Sequence, residues 1–411
     1  MFKQVYRYFG QFGRDLWILA FGWFVSALGF AASIPFISIY FHSELGLSTT
    51  EIGIFFAVIA VVRSLFQVVG GELSDRVSRR GMLIHSQGIR VITFILMAMT
   101  IQYNWGFWTM AVVFTFNSIV GAVFMPTVNA LVSDILPYEK RLDGYAISRS
   151  AGNLGWAAGP AIGGFMAAHS YATLFYLSAA ITLVSVFIFW LFLVVPEVAK
   201  IQERFKFSDL VAVRNDKNLA AHAFLTFFLY LVVAQLIAPM SVYTVEMVGI
   251  SETRLGMLFT INGLMVVLFQ IPVTRLLARF RFTTQLACGA IFHFIGYSLF
   301  GLFIGFPYFI VYVMIISIGE VFMSPPSLTL TSRLAPEGRI GRYMGVQGFF
   351  VTAGWSLGPL YGGVILDYLG HAPALAWLVI SSLALLSGVG YFIFGRYLPE
   401  QYNRKEQRVN G

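Results

Sequence analysis

Apolar stretches of about 20 residues recur along the chain, separated by short polar turns. Each is long enough to cross a ~30 Å hydrocarbon core at ~1.5 Å of helical rise per residue. The pattern predicts helices near 15–41, 51–71, 82–102, 106–134, 144–168 and 171–195. After a polar link at 196–218 it predicts six more, near 219–245, 252–274, 283–304, 307–333, 341–366 and 373–396. The runs are continuous rather than alternating, which excludes a β-barrel. The expected fold is an all-α integral membrane protein of twelve transmembrane helices. Residues 1–195 form one six-helix bundle, 196–218 a linker, 219–396 a second bundle and 397–411 a tail.

The halves are copies of one unit. Gly155-Trp-Ala-Ala-Gly159-Pro160-Ala-Ile-Gly163-Gly164 returns half a chain later as Gly354-Trp-Ser-Leu-Gly358-Pro359-Leu-Tyr-Gly362-Gly363. Glycines at i, i+4 and i+8 strip one helix face of side chains, so another helix backbone can approach closely in a bilayer. The proline removes one backbone donor and loosens the helix at the same depth in both copies. Other pairs align as well: Phe66-Gln67 with Phe269-Gln270, Gly53 with Gly256, and Val123-Phe-Met125 with Val321-Phe-Met323. Parallel repeats of this kind are a transporter arrangement in which the binding site lies where the halves meet.

Composition and charge narrow the picture. Hydrophobic residues make up 58% and charged residues 11%, far from the soluble average of about a quarter charged. The net charge of +8 would suggest a nucleic-acid partner in a soluble protein, but here its placement matters more. All but Arg63, Arg90, Arg149 and Arg254 of the 27 lysines and arginines fall in alternate loops, the linker and the two ends. By the positive-inside rule these segments, and both termini, are expected to be cytoplasmic. Tyr103, Trp105 and Trp108 fit an outer aromatic belt and Trp17 an inner one. The single cysteine, Cys288, and six scattered histidines give no disulfide framework and no metal-ligand spacing. No cleavable signal is expected, because the first apolar run is too long and lacks a small-residue cleavage pattern.

Between the second and third helices stands Gly71-Glu-Leu73-Ser-Asp75-Arg76-Val-Ser78-Arg79-Arg80. It resembles the loop signature of the major facilitator superfamily, G-x-L-a-D-r-x-G-r-k, with Ser78 in place of the second glycine. Leu28-Gly29-(five residues)-Pro35 in the first helix and the Gly-Pro motif of the fifth look like signatures of that superfamily's twelve-helix drug:proton antiporters. The resemblance covers essentially the whole chain. It implies two rocking bundles, a cavity lined in part by the tenth helix, and a gating role for Gly71, Asp75, Arg76, Arg79 and Arg80, with Asp134 as an arginine's partner. One feature departs from it. Where such antiporters often carry an arginine four residues before a glycine, linked to proton transfer, this chain has Asn117 before Gly121.

Two ionisable residues lie deep in apolar runs. Glu320 sits near the middle of the tenth helix, where protonation, pairing or a wet cavity reduces the cost of a carboxylate. It is the candidate proton-coupling group, the alternative being a paired or permanently protonated structural acid. Arg63 is too deep in the second helix to snorkel, so it either lines the cavity or is held in a structural pair. Arg90 and Arg149 are expected to reach the cytoplasmic interface along their stems. Asn117, Gln235 and Asn262 are candidate cavity residues, or bond across helices, and His222 near the start of the seventh helix is a further cavity candidate. Glycines 155, 159, 163, 354, 358 and 362, with Pro160 and Pro359, are the helix-packing positions.

The expected activity is secondary transport by alternating access: export of amphiphilic or cationic organic compounds against inward proton flow, from a multi-pass position in the cell (inner) membrane. The alternative within transport is a carrier of a defined metabolite such as a sugar, peptide, anion or lipid-like molecule, with Arg63 recognising an anionic group. An enzyme would need a nucleophile–base or metal constellation, and a sensor would usually add a soluble domain. Neither is visible. No cofactor is expected, and the expected partners are a small-molecule substrate, protons and lipid around a monomer.

Overall fold

The computed structural model describes residues 12–76, 78–137, 140–195, 216–336 and 340–404. Among these residues every regular element is helical. In chain order they are α1 (Arg14–Ser43), α2 (Thr49–Arg76), α3 (Arg79–Gln102), α4 (Phe107–Ala122, resumed as Phe124–Ile135), α5 (Arg141–Ala167) and α6 (Tyr171–Phe192). Then come α7 (Lys217–Val233), α8 (Glu252–Leu277), α9 (Phe282–Ser298), α10 (Phe306–Leu334), α11 (Ile340–Leu369), α12 (Pro373–Tyr397) and the short α13 (Glu400–Asn403). Nine of the described helical segments are long and apolar enough to cross a membrane, making this a multi-pass membrane protein. Most of the linker and the end of the tail lie outside the described residues.

Two expected helices are broken, each by a proline. The run 106–134 is interrupted at Val123, because Pro126 has no N–H for the carbonyl of Ala122, four residues back. The run 219–245 stops at Val233 and continues as a 3₁₀ turn (Ala234–Leu236), a short α-turn (Pro239–Val242) and a π-turn (Tyr243–Met247). Pro239 leaves the carbonyl of Gln235 without its helical donor in the same way. Polar side chains start other helices. Asp216 accepts from the N–H groups of Asn218 and Leu219 at 3.0 and 3.1 Å. Ser78, the departure from the loop signature, caps α3 by accepting from Gly81 N at 3.3 Å.

Contacts divide the chain into two compact units. The first comprises Met1–Phe41, Val58–Gln202 and Ser251–Gly263; the second comprises His42–Ala57, Glu203–Ile250 and Leu264–Gly411. The first thus includes the opening of α8, and the second the opening of α2. The glycine motifs show why. In the first unit, Cβ atoms at Gly155, Gly159 and Gly163 would lie 2.5, 2.8 and 2.0 Å from backbone or Cβ atoms of α1. In the second, the equivalent Gly354 and Gly358 press on α7 and Gly362 on the Gln235 side chain. The fourth glycine of each motif faces a different helix. Gly164 abuts the carbonyl of Glu252 in α8, and Gly363 abuts that of Thr49 in α2. Gly256 and Gly53, the aligned pair, meet the carbonyls of the motif prolines Pro160 and Pro359. Backbone contact this close is open only to glycine and binds the α8 and α2 openings into these units.

Each unit has its own core. Leu16, Leu19, Leu83, Phe124, Leu131 and Phe189 cluster in the first. The second is built on rings: Tyr297 stacks on Trp377 at 5.9 Å, and Phe300 on Phe309 at 4.9 Å. Tyr103, Trp105, Trp108 and Trp17 are exposed, as belt residues must be.

Candidate functional site

The first unit holds a buried polar cluster in the expected membrane region. Ser26 of α1 donates to Gln87 Oε1 of α3 at 3.1 Å. Asn117 of α4 is buried and donates to Thr93 Oγ1 of α3 at 2.6 Å, so its role here is a bond across helices. Between Gln87 and Thr93 on the same face comes Arg90. The sequence suggested a snorkelling arginine, and the structure corrects this. Arg90 lies mid-way along α3 and is only 5% exposed. Its guanidinium sits 4.7 Å over the Phe30 ring and 5.5 Å from that of Phe94. It also lies over Gly121, 3.7 Å from where a Cβ would stand. The arginine missing before that glycine is therefore replaced, in space, by one from the neighbouring helix.

Arg63 of α2 is close enough to Arg90 for the two positive charges to act on each other. Its side chain is exposed. Among the described residues neither arginine meets a carboxylate or donates a hydrogen bond, and the buried Arg90 Nε and Gln87 Nε2 have no acceptor. An arginine at the centre of a membrane helix costs about 2.5–3.5 kcal/mol, and a cation–π contact recovers about 0.5–2 kcal/mol of that. A second cation nearby raises the cost again. The sequence signal was available: Gln87, Arg90 and Thr93 stand at i, i+3 and i+6, a polar stripe on an otherwise apolar helix.

In the second unit, Glu320 occupies the midpoint of the 29-residue helix α10. It is half-buried and lies in register with Ile316, Met323 and Ser327, away from the exposed stripe of Val311, Met314 and Leu328. Its carboxyl group is near enough to Tyr297 of α9 to act on the phenol electrostatically.

His222 and Gln235, two candidate cavity residues, are fully enclosed in this unit; this corrects the cavity reading of His222, and for Gln235 the structure shows the bond across helices. His222 Nε2 lies 3.2 Å from the Ser327 carbonyl and 3.1 Å from Thr331 Oγ1. A carbonyl only accepts, so Nε2 carries the proton and Nδ1 accepts from the Tyr391 hydroxyl at 2.9 Å. Thr226 and Gln347 extend the network. The neutral ring is satisfied on both nitrogens and ties α7, α10 and α12 together. Gln235 donates to the carbonyls of Leu231 and Gly358 at 2.6 and 2.8 Å and fills the notch at Gly362. Its burial follows from the break in α7. Asn262 is half-buried in the first unit's part of α8.

At the loop signature, Arg79 Nη1 binds Asp134 Oδ1 at 2.5 Å and the Ala130 carbonyl at 3.1 Å. Arg80 donates to the carbonyls of Phe189 and Trp190 at the end of α6, at 3.4 and 2.5 Å. Gly71, Asp75 and Arg76 fall within α2, and their side-chain surroundings lie outside what is described. The Arg79–Asp134 side chains are 15% and 12% exposed, so breaking the pair leaves a largely buried cation. Asp134→Asn is expected to lower stability by about 1–2 kcal/mol. The check is the melting midpoint of the purified protein, with Asp134→Glu retaining most of the loss; an unchanged midpoint in Asp134→Asn would remove the pair from the stability account. A groove of about 410 Å³ is lined by Arg14, Trp17, Ile18, Phe21, Ile188 and Phe192.

Comparison with known proteins agrees with the fold. The Major Facilitator Superfamily family model matches residues 19–247 and 223–410. The uncharacterized MFS-type transporter YttB of Bacillus subtilis (strain 168) is 29% identical over 378 residues, 91% of this chain and 92% of that protein. The quinolone resistance protein NorA of Staphylococcus aureus (strain MSSA476) is 24% identical over 367 residues, 88% of this chain and 92% of that one. Among solved structures, the nucleoside transporter NupG superimposes with a TM-score of 0.78 at 13% identity, covering 93% of this chain and 100% of its own. A bacterial homologue of the human lysosomal transporter Spinster, inward-facing and unoccupied, gives 0.74 at 14% identity, covering 95% and 98%.

Proposed function

The chain belongs to the major facilitator superfamily, and on that premise we propose that it is a secondary transporter exporting amphiphilic organic compounds in exchange for protons. The observation that carries the reading is Glu320, a carboxyl group at the midpoint of a membrane helix and half-buried there. A charged side chain at that depth costs about 2.5–3.5 kcal/mol. Taking up a proton relieves the cost, so its protonation is sensitive to which side of the membrane it meets. Likeness to a protein named for quinolone resistance supports outward transport of an organic compound. Arg63 and Arg90 of the first unit, which meet no carboxylate among the described residues, argue against compounds whose only charge is positive.

In this reading the repeated bundles rock around the site, with both termini cytoplasmic and the chain in the cell membrane. Arg79, Arg80 and Asp134, with Gly71, Asp75 and Arg76, close the cytoplasmic side in one state and part in the other. The protein is not an enzyme: members of this family move substrates unchanged.

The test is transport by the purified chain in proteoliposomes, with a pH gradient imposed and a panel of fluorescent amphiphiles of either charge. At least one is expected to move uphill only while the gradient stands, and a protonophore should stop it. Movement that ignores the gradient would overturn the proton coupling.

A further inference from the structure

The buried Arg90 of the first unit and its polar neighbours point to a ligand that the fold itself does not supply. Arg90 is enclosed on α3, stacked on Phe30 and Phe94, with its Nε lacking an acceptor. One turn earlier on the same face, Gln87 is fully buried with its Nε2 donor unused, while its Oε1 is held by Ser26. Arg63 of α2 adds a second positive charge within electrostatic reach. Arg90 and Gln87 thus bring unused donors to one face of α3, with Arg63 of α2 within electrostatic reach, and none of these donors meets an acceptor or carboxylate among the described residues. Beside the cation stand two accessible rings: Phe30, half-buried, and Trp156 of α5, which meets it edge-on at 5.7 Å and is 37% exposed.

We propose that Arg90, Gln87 and Arg63 form an oxyanion-binding subsite, and that the exported amphiphile carries a carboxylate or similar oxyanion there while its ring system packs on Phe30 and Trp156. Guanidinium groups suit this task because their planar fork of N–H donors matches two oxygens of one anionic group. Gln87 supplies a neutral donor from the side. Gly121 lies against the guanidinium, with a Cβ position 3.7 Å from its Nε. A compound lacking the anion would leave two cations facing each other, so selectivity arises from what an uncharged or cationic analogue fails to neutralise. This inference deepens the export reading and rests on it for the word exported. The binding test below needs no gradient, so its failure and a failure of proton coupling are separate results.

The experiment measures binding to the full chain purified in an uncharged detergent, by thermal shift and by titration. The probes are 1-naphthoate, 1-naphthamide and 1-naphthylmethylammonium, which share a ring and differ in charge. Naphthoate is expected to bind at least ~10-fold tighter than the other two, a difference of about 1.4 kcal/mol. Arg90→Gln should bring naphthoate to the level of the amide, Arg63→Gln should weaken it by about 3-fold, and Arg90→Lys should fall between. Gln87→Glu guards against misfolding as an explanation. By providing an internal carboxylate it should raise the melting midpoint while abolishing naphthoate binding. Equal binding of all three probes would overturn the proposal, as would unchanged naphthoate affinity in folded Arg90→Gln. Two further arms separate other sources of the anion. If sulfate alone, or short-chain phosphatidylglycerol, binds in an Arg90-dependent way while naphthoate does not, the subsite serves an inorganic ion or a lipid headgroup, and its assignment to substrate is overturned.

Discussion

Glu320→Gln is expected to abolish uphill transport while leaving downhill movement intact. Glutamine keeps the size and hydrogen-bonding capacity of the protonated acid but cannot release a proton, so it mimics one half of the cycle permanently. One proton moving down a gradient of one pH unit supplies about 1.4 kcal/mol, enough for a ~10-fold accumulation of a neutral-exchange substrate. The variant should therefore fall from roughly that ratio to none, yet still allow counterflow of labelled against unlabelled compound. The measurement is accumulation in proteoliposomes with the pH gradient on and off. Full accumulation by the variant would remove Glu320 from the coupling mechanism, whereas loss of counterflow as well would recast it as a structural acid. Its place at the midpoint of α10, near Tyr297 rather than on the helix's exposed stripe, makes either result informative.

The second large effect is expected at Gly163. A methyl group there would stand 2.0 Å from the Ala32 carbonyl oxygen and 2.8 Å from the Phe36 ring. The obstacle is backbone, so a rotamer change cannot relieve it, and α1 and α5 must separate along a shared face. Overpacking of this kind costs about 3 kcal/mol or more, a large part of the stability of a typical domain. Gly163→Ala should lower the melting midpoint sharply, and Gly163→Leu should prevent folded protein from accumulating. The control is Gly348→Ala in α11, where a Cβ would meet nothing within 4 Å. That change should be neutral, or stabilising by up to ~1 kcal/mol through lost chain entropy in the unfolded state. If both substitutions behaved alike, close helix approach would not be what the repeated glycines provide.

The same contact explains why the motif was legible from sequence. Glycines four apart fall on one helix face whatever surrounds them, so the repeat at 155–164 and 354–363 announced two equivalent close approaches. The structure places those faces on α1 in the first unit and on α7 and its continuation in the second. Less legible was the fourth glycine of each motif, which points elsewhere. Gly164 and Gly363 hold the openings of α8 and α2, and so place Ser251–Gly263 in the first compact unit and His42–Ala57 in the second. A boundary read from chain order at 195 and 219 could not contain that exchange.

The candidate site divides in the same way. Glu320 and Arg63 stood out because an ionisable residue in the middle of an apolar run is rare and costly. Arg90 did not, because its distance from the helix end allowed a snorkelling path that the packing of Phe30, Phe94 and Gly121 closes. Asn117 read as the loss of a cation, and only the juxtaposition of α3 and α4 shows a cation back over Gly121. His222 and Gln235 read as cavity residues because nothing in the sequence reveals that Tyr391, Thr331 and Gly358 supply their hydrogen bonds.

By itself, then, the sequence determined the membrane-spanning class, the internal repeat, the close-packed glycine faces and the depth of the acid in α10. Each depends on spacing along one helix and on the thickness of a bilayer, which the order of residues contains. Only the tertiary structure decided which charges face one another and which polar groups are satisfied, because that depends on how each helix is rotated about its axis against neighbours distant in the chain.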